Sequence, residues 1–212
     1  GAELDLQWPV AWLEGRELVV WADIFSLSSV LFSLWAYMAP NARMPRAAFA
    51  LSLLLCGAFL SSFGGINHYY HSWFWVAAVF VFLPAARSRT GRLSYCLTFA
   101  TAQAMLLFFY TLSGFWKLSE GAIALLVGAE GNLAPRGLAL TLADRILQTG
   151  TSPLFGRFFV EHYILSFPMF LAVMYLQFCA VAVVFRPRLH IAWGLGLMAF
   201  HQGTWVMMEI MF

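Results

Sequence analysis

Lys117 is the only lysine in the chain, and the eleven other basic residues are all arginine. It lies near the end of FFYTLSGFWKL, residues 108–118, in a strongly apolar part of the sequence. A desolvated amine can lose its proton, whereas a guanidinium effectively cannot. One lysine among arginines in such a setting therefore indicates a general base. The alternative is a lysine that snorkels to the membrane interface beside Trp116 at the end of a membrane helix.

A polar stripe leads to Lys117 if the residues before it form a helix. Gln103, Tyr110 and Lys117 are spaced by seven residues, and Gly114 follows Tyr110 by four. At about 3.6 residues per turn these four residues share one face of a helix. The glycine would let a neighbouring helix or a ligand approach that face closely. The spacing therefore predicts a binding site along one helix.

Two histidines are candidate partners of this lysine. His68 follows Asn67 in the segment INHYY, and His201 lies in the segment AFHQG near the C-terminus. Imidazole is the side chain that most often transfers protons in catalysis. The alternative for His68 is a structural role, capping a turn together with Asn67. Haem is disfavoured, because no predicted helix carries paired histidines at the spacing that stacks two haems.

The elements that must position these residues are membrane helices. The chain is 62% hydrophobic and 10% charged, whereas soluble domains carry about 25% charged residues. Its net charge of +2 and the lack of a basic run disfavour nucleic acid as a partner. We therefore predict an all-α integral membrane protein whose first partner is the lipid bilayer.

Six segments are long and apolar enough, or nearly so, to cross about 30 Å of hydrocarbon as helices. Their apolar runs are continuous rather than alternating, which disfavours membrane strands. We predict a single transmembrane domain over residues 1–212. Its helices are expected at about 18–38, 47–64, 70–86, 93–117, 163–185 and 190–212.

The arginines predict the orientation of these helices. Seven of them fall in three short segments that contain no acidic residue: Arg43 and Arg46, then Arg87, Arg89 and Arg92, then Arg186 and Arg188. By the positive-inside rule these segments face the cytoplasm. Both termini and the long connection over residues 118–162 are then extracytoplasmic. Within that connection, GLALTLADRILQ at 137–148 has the periodicity of an interfacial helix and is a candidate lid over the site.

The sequence resembles the vitamin K-dependent gamma-carboxylase-like proteins, whose bacterial members form the horizontally transferred transmembrane domain family. The resemblance is carried by three segments in order: Asn67 to Tyr70 before an apolar helix that ends in Leu83 and Pro84, then Tyr110 to Leu118, then Phe200 to Gly203. It spans most of the chain from about residue 46 to residue 212. For this chain the resemblance implies a multi-pass protein of the bacterial inner membrane.

The resemblance also implies a chemistry. A lysine matching Lys117 is the base that deprotonates vitamin K hydroquinone before attack on dioxygen, and a histidine matching His68 belongs to the same site. The oxygenated quinone becomes an epoxide and removes a proton from glutamate, to which carbon dioxide then adds. The implied cofactor is therefore a quinone or hydroquinone, with Asn67, Tyr110, Gly114, Gln103 and His201 as candidate quinone-binding residues. No metal is expected.

The chain also departs from the carboxylases. They carry a large soluble C-terminal portion that handles a protein substrate, and this sequence stops after its last predicted helix. We therefore favour quinol-dependent oxygenase, epoxidase or carboxylase chemistry with Lys117 as base and His68 as partner. The alternative is a non-catalytic integral subunit, structural or quinone-binding, that packs with other membrane subunits in a larger complex.

Overall fold

The computed structural model of the protein describes residues 6–63, 68–84 and 91–209, and for residues 68–70 it describes the backbone alone. Within these ranges every regular element is helical, so the predicted all-α class is confirmed. The α-helices are α1 (Leu18–Met38), α2 (Arg43–Ser61), α3 (His68–Phe80), α4 (Gly91–Leu126), α5 (Gly137–Thr149), α6 (Leu154–Glu161), α7 (Tyr163–Phe178) and α8 (His190–Met208). Short 3₁₀ helices cover Trp8–Leu13, Ala180–Phe185 and Pro187–Leu189.

The chain forms two compact units, residues 1–106 and residues 107–212, and α4 runs from the first into the second. In the first unit α2 packs against both α1 and α3. The N-terminal 3₁₀ helix adds Val10 and Leu13 to a buried cluster with Phe25, Cys56 and Phe59. Gln7 N also donates to Ser62 Oγ at 3.0 Å, which holds this N-terminal segment to the end of α2.

In the second unit α5 packs against α6, α7 and α8. One buried cluster joins Leu138 and Leu142 of α5 to Phe170 and Met174 of α7. A second joins Leu107 of α4 to Ala180 and Leu197. Burial of such side chains is the main stabilising term for the packing of helices outside the lipid, whereas van der Waals packing takes its place within the lipid. The candidate site lies between these two clusters along α4 and α7.

Three helices of the described chain are long and apolar enough to cross a membrane, namely α1, α2 and α4. The number rises to four if α6 and α7, which are bent by 108° at His162, are taken as one broken span. These apolar helices are compatible with a membrane protein. α3 has 13 residues and α7 has 16, so each is shorter than the roughly 20 residues that a straight span requires.

The end of α4 differs most from the sequence prediction. The helix predicted to end at Lys117 continues to Leu126, because Ser119 and Glu120 are polar but do not break a helix. It stops at Gly128, where φ is +70°. Gly128 N donates to Leu125 O and Ala129 N to Ala124 O, the bond pattern of a Schellman C-cap. The prediction placed the end of this helix where the apolar run ends, whereas Gly128 sets it.

Other predicted boundaries shift by a few residues or change type. α1 matches the prediction over 18–38, whereas the helices predicted over 47–64 and 70–86 begin and end earlier, as Arg43–Ser61 and His68–Phe80. The helix predicted over 163–185 ends at Phe178 and continues as the 3₁₀ helix Ala180–Phe185. The last helix, predicted over 190–212, ends at Met208. The connection over 118–162 is mostly helical. The segment predicted as an interfacial helix over 137–148 is helical, as α5, and its interfacial position stays a prediction.

Candidate functional site

Lys117 lies on the face of α4 that packs against α7. Its Nζ donates to Ser113 Oγ at 2.8 Å and to Gln177 Oε1 at 3.0 Å. Ser113 is one turn earlier on α4, and Gln177 is near the end of α7. The amine is therefore held between two helices, nine residues before α4 ends at Leu126. This geometry differs from that of a snorkelling lysine, whose amine extends beyond the end of its helix.

Both acceptors of the Lys117 amine are neutral oxygens. Among the described residues no carboxylate lies within ion-pair distance of Nζ, and the two ion pairs there are Arg136 with Glu130 and Arg157 with Glu161. Glu120, on the next turn of α4, accepts a hydrogen bond from Asn132 at 3.0 Å. An ammonium carries three donors, so a third hydrogen-bonding position of the amine is without a partner among the residues that the structure describes. A ligand hydroxyl or oxyanion suits that position.

Gln177 is a site residue that the sequence analysis missed. Its side chain is 2% exposed, and it is the only amide in the apolar helix YILSFPMFLAVMYLQF. A lone amide in an apolar helix was a usable signal, since buried polar side chains need hydrogen-bond partners. Its pairing with Lys117 depends on the packing of α7 against α4, which no local pattern encodes.

Tyr110 and His201 are brought into direct contact. Tyr110 Oη and His201 Nε2 are 2.6 Å apart, and the two rings meet edge to face with centroids 5.7 Å apart. Tyr110 lies two turns before Lys117, about 10 Å along the axis of α4. The stripe predicted on α4 thus presents two polar pairs, one with α7 and one with α8. A flat ring with an oxygen at each end could reach both polar pairs only if the molecule also extends along this face of α4.

Gly114 sits between these two pairs and permits the close approach of the end of α7. A Cβ at this position would lie 2.8 Å from Phe178 Cα, which is closer than real Cβ contacts. One turn of chain further, Val181 N donates to Thr111 Oγ1 at 2.9 Å. Gly114 was predicted to let a helix or a ligand approach closely. In the structure it is the end of α7, and not a ligand, that approaches it.

Three further site residues were predicted, namely Asn67, His68 and Gln103. Asn67 is outside the described residues, and His68 begins α3 with only its backbone described. Gln103 is half-buried on α4 and belongs to the unit of residues 1–106. The roles predicted for these three residues stay predictions. Among residues 6–63, 71–84 and 91–209, no group of three or more His, Cys, Asp or Glu side chains could hold a metal ion.

The connection over residues 118–162 packs close to the lysine. Leu118, the residue after Lys117, and Leu133 pack against the cluster of Leu138 and Met174. Met174 lies one turn before Gln177 on α7, so α5 covers the same part of α7 that holds the amine's partner. The role of α5 as a lid over the site stays a prediction.

Comparisons with protein-family models, with curated protein sequences and with solved structures find no match to this chain. The resemblance to the gamma-carboxylase-like proteins rests on its three sequence segments and stays a prediction. The function is therefore argued below from the site itself.

Proposed function

We propose that this protein is a quinol-dependent membrane oxygenase of the gamma-carboxylase-like type, with Lys117 as its general base. The observation that carries the proposal is the Lys117 amine, which is bound by the neutral oxygens of Ser113 and Gln177 and has no carboxylate within ion-pair distance among the described residues. An amine without an ion pair can exist in the neutral form that a base requires. Only one lysine is present in the chain, and it occupies this position.

The proposed reaction begins with a proton transfer. The O–H bond of a quinol hydroxyl breaks, and its proton forms a new N–H bond on Lys117 Nζ. The resulting quinolate reacts with dioxygen, one oxygen atom of which enters the ring as an epoxide. The other leaves as water, which takes up the proton held by Lys117 and the proton of the second quinol hydroxyl. Tyr110, two turns before Lys117 on α4, and its partner His201 on α8 are proposed to bind the far end of the substrate. His68 is proposed as a further member of the site.

The proposal includes a membrane topology. Six spans formed by the six apolar segments, with the arginine segments in the cytoplasm, would place Lys117 in the outer half of a bacterial inner membrane. The apolar helices α1, α2 and α4 support the membrane part of this topology. The acid-free arginine segments support the orientation.

Turnover with a reduced naphthoquinone tests the proposal. Purified protein supplied with the quinol and oxygen should yield the quinone epoxide, detected by chromatography and mass spectrometry. Lys117→Ala should reduce the yield by about 10²-fold or more, the contribution of a general base. Lys117→Arg should not restore it, because guanidinium holds its proton.

The matched control is Trp116→Ala, a truncation of the neighbouring residue, whose side chain is 70% exposed. This variant should keep the turnover of the wild-type protein. Epoxide formation at the same rate by wild-type protein and Lys117→Ala would refute the assignment of the base.

A second candidate function is a non-catalytic integral subunit of a larger membrane complex. It is favoured by the hydrogen bonds between the polar side chains themselves, Lys117 with Gln177 and Tyr110 with His201. Such bonds between helices are typical of a structural network in a membrane protein. Such a subunit should copurify with other membrane proteins and give no epoxide. Turnover by the isolated chain would eliminate this candidate.

A further inference from the structure

A buried cation lies in the first unit, outside the site around Lys117. Arg46, the fourth residue of α2, is only 8% exposed. Its Nε donates to Ala42 O at 3.1 Å, and its Nη1 donates to Phe80 O and Leu83 O, each at 2.8 Å. These last two carbonyls lie at and just beyond the end of α3. The guanidinium is thus held rigidly at a helix C-terminus, where a cation is favourable.

The other terminal nitrogen of Arg46 is not satisfied by the described chain. Nη2 is buried and has no hydrogen-bond partner. No acidic residue is within ion-pair distance of Arg46 in the described ranges, where the two ion pairs involve other arginines. A buried guanidinium that lacks a counter-ion is costly unless an anion joins it. These two observations indicate an anionic ligand.

The surroundings of Arg46 indicate what else the ligand carries. Arg46 lines a pocket of about 260 Å³ with mostly apolar walls, formed by Ser33, Ala36, Pro40, Phe49, Ala77, Phe80, Leu83 and Phe99. Apolar walls do not favour a small hydrated anion. They favour an anion that is joined to hydrocarbon. Arg43, one turn earlier and exposed, adds a second positive charge at the same helix end.

We propose that Arg46 is a binding site for the phosphate of an anionic membrane phospholipid, with part of the lipid's hydrocarbon in this pocket. Guanidinium forms paired, charge-assisted hydrogen bonds with phosphate oxygens. Basic residues at the ends of membrane helices attract anionic lipids. Because Nη2 is shielded from solvent, the lipid binds as the side chains that line the pocket move apart. The proposal does not depend on Lys117 or on quinol chemistry.

Lipid retention tests this site. The full chain, purified in a mild detergent, is mixed with phosphatidylglycerol or phosphatidylcholine, and the lipid bound per chain is counted by native mass spectrometry. The wild-type protein should retain one phosphatidylglycerol in preference to phosphatidylcholine. Arg46→Lys, which keeps the charge but loses the planar fork, should retain about tenfold less phosphatidylglycerol. Arg43→Lys makes the same exchange at an exposed position and should retain it like the wild type.

A second variant covers the case in which Arg46→Lys does not fold. Ala36→Phe fills the pocket from α1 and leaves the three backbone hydrogen bonds of Arg46 in place, so it should also lose phosphatidylglycerol. Equal retention by the wild type and by whichever of these two variants folds would overturn the proposal. An equal loss of phosphatidylglycerol in Arg43→Lys would also overturn it, because the lipid would then be held by diffuse charge attraction. Displacement of the lipid by millimolar inorganic phosphate would overturn it as well, because a free anion would then be the ligand.

Discussion

At the scale of single residues, the account depends on the neutrality of the oxygens around Lys117. Gln177 Oε1 and Ser113 Oγ orient the amine without fixing a proton on it, whereas a carboxylate at the same place would hold the ammonium form. The uniqueness of the lysine and the helical spacing of Tyr110, Gly114 and Lys117 were readable in the sequence. Gln177 was not found, because its importance comes from a contact 60 residues away along the chain.

Replacing Gln177 by glutamate separates charge from shape. Gln177→Glu keeps the size and the oxygen acceptor but adds a negative charge about 3 Å from Nζ, so it should keep the proton on Lys117. We expect epoxide yield at neutral pH to fall by at least about tenfold. Gln177→Leu is the matched variant that removes the acceptor without adding charge, and it should lose less activity than Gln177→Glu. Activity in Gln177→Glu equal to that of the wild type would contradict the role of a neutral amine.

At the scale of helices, the site depends on the close approach of α4 to the end of α7. Gly114 faces Phe178 Cα, and the Thr111 hydroxyl accepts from Val181 N one turn earlier on α4. Any Cβ at position 114 must push these segments apart or distort them. The distance between Lys117 and Gln177 is therefore set by a glycine three residues before the lysine.

The substitution Gly114→Ala tests this packing. The added methyl should destabilise the protein by about 1–3 kcal/mol, as overpacking does. Unfolding is followed by circular dichroism during titration of a denaturing detergent into mild-detergent micelles. Gly194→Ala on α8 is the matched control, because a Cβ there meets nothing within 4 Å. Equal stability of the two variants would show that the approach at Gly114 is not tight.

Helix positions were largely predictable, and helix ends were predictable only where a local signal sets them. α1 follows its apolar run, which Pro40 limits, so its bounds agree with the prediction. The end of α4 is set by the left-handed Gly128, but the polar residues after Lys117 concealed it. The change to a 3₁₀ helix after Phe178 accompanies the contact of this segment with Gly114 and Thr111. It is a tertiary effect that no single segment encodes.

At the scale of the whole molecule, many large apolar side chains are exposed on the helices. Examples on α1, α4 and α8 are Leu34, Phe115, Trp116, Ile191 and Met198. Exposure of this kind over long apolar helices is typical of surfaces that contact lipid or other membrane subunits. Such exposure agrees with the proposed membrane location, where neither compact unit has to present a polar surface to water.

The proposed orientation predicts which loops a reagent outside the cell can reach. On a background with the three cysteines replaced by serine, Thr151→Cys lies between α5 and α6, and Asn41→Cys lies between α1 and α2; both positions are exposed. A membrane-impermeant maleimide added to intact cells whose outer envelope admits it should label Thr151→Cys. Asn41→Cys should react only after the inner membrane is permeabilised. The opposite pattern would invert the proposed topology.

The central claim is that Lys117 accepts a proton from a bound quinol, and anaerobic spectroscopy tests it most directly. Without oxygen the reaction stops after the first proton transfer, and hydroquinone and its anion absorb at different ultraviolet wavelengths. Wild-type protein at neutral pH should convert bound reduced naphthoquinone to the anion spectrum, whereas Lys117→Ala should bind it and leave the neutral spectrum. The same neutral spectrum in both proteins, with the quinol bound, would contradict the claim.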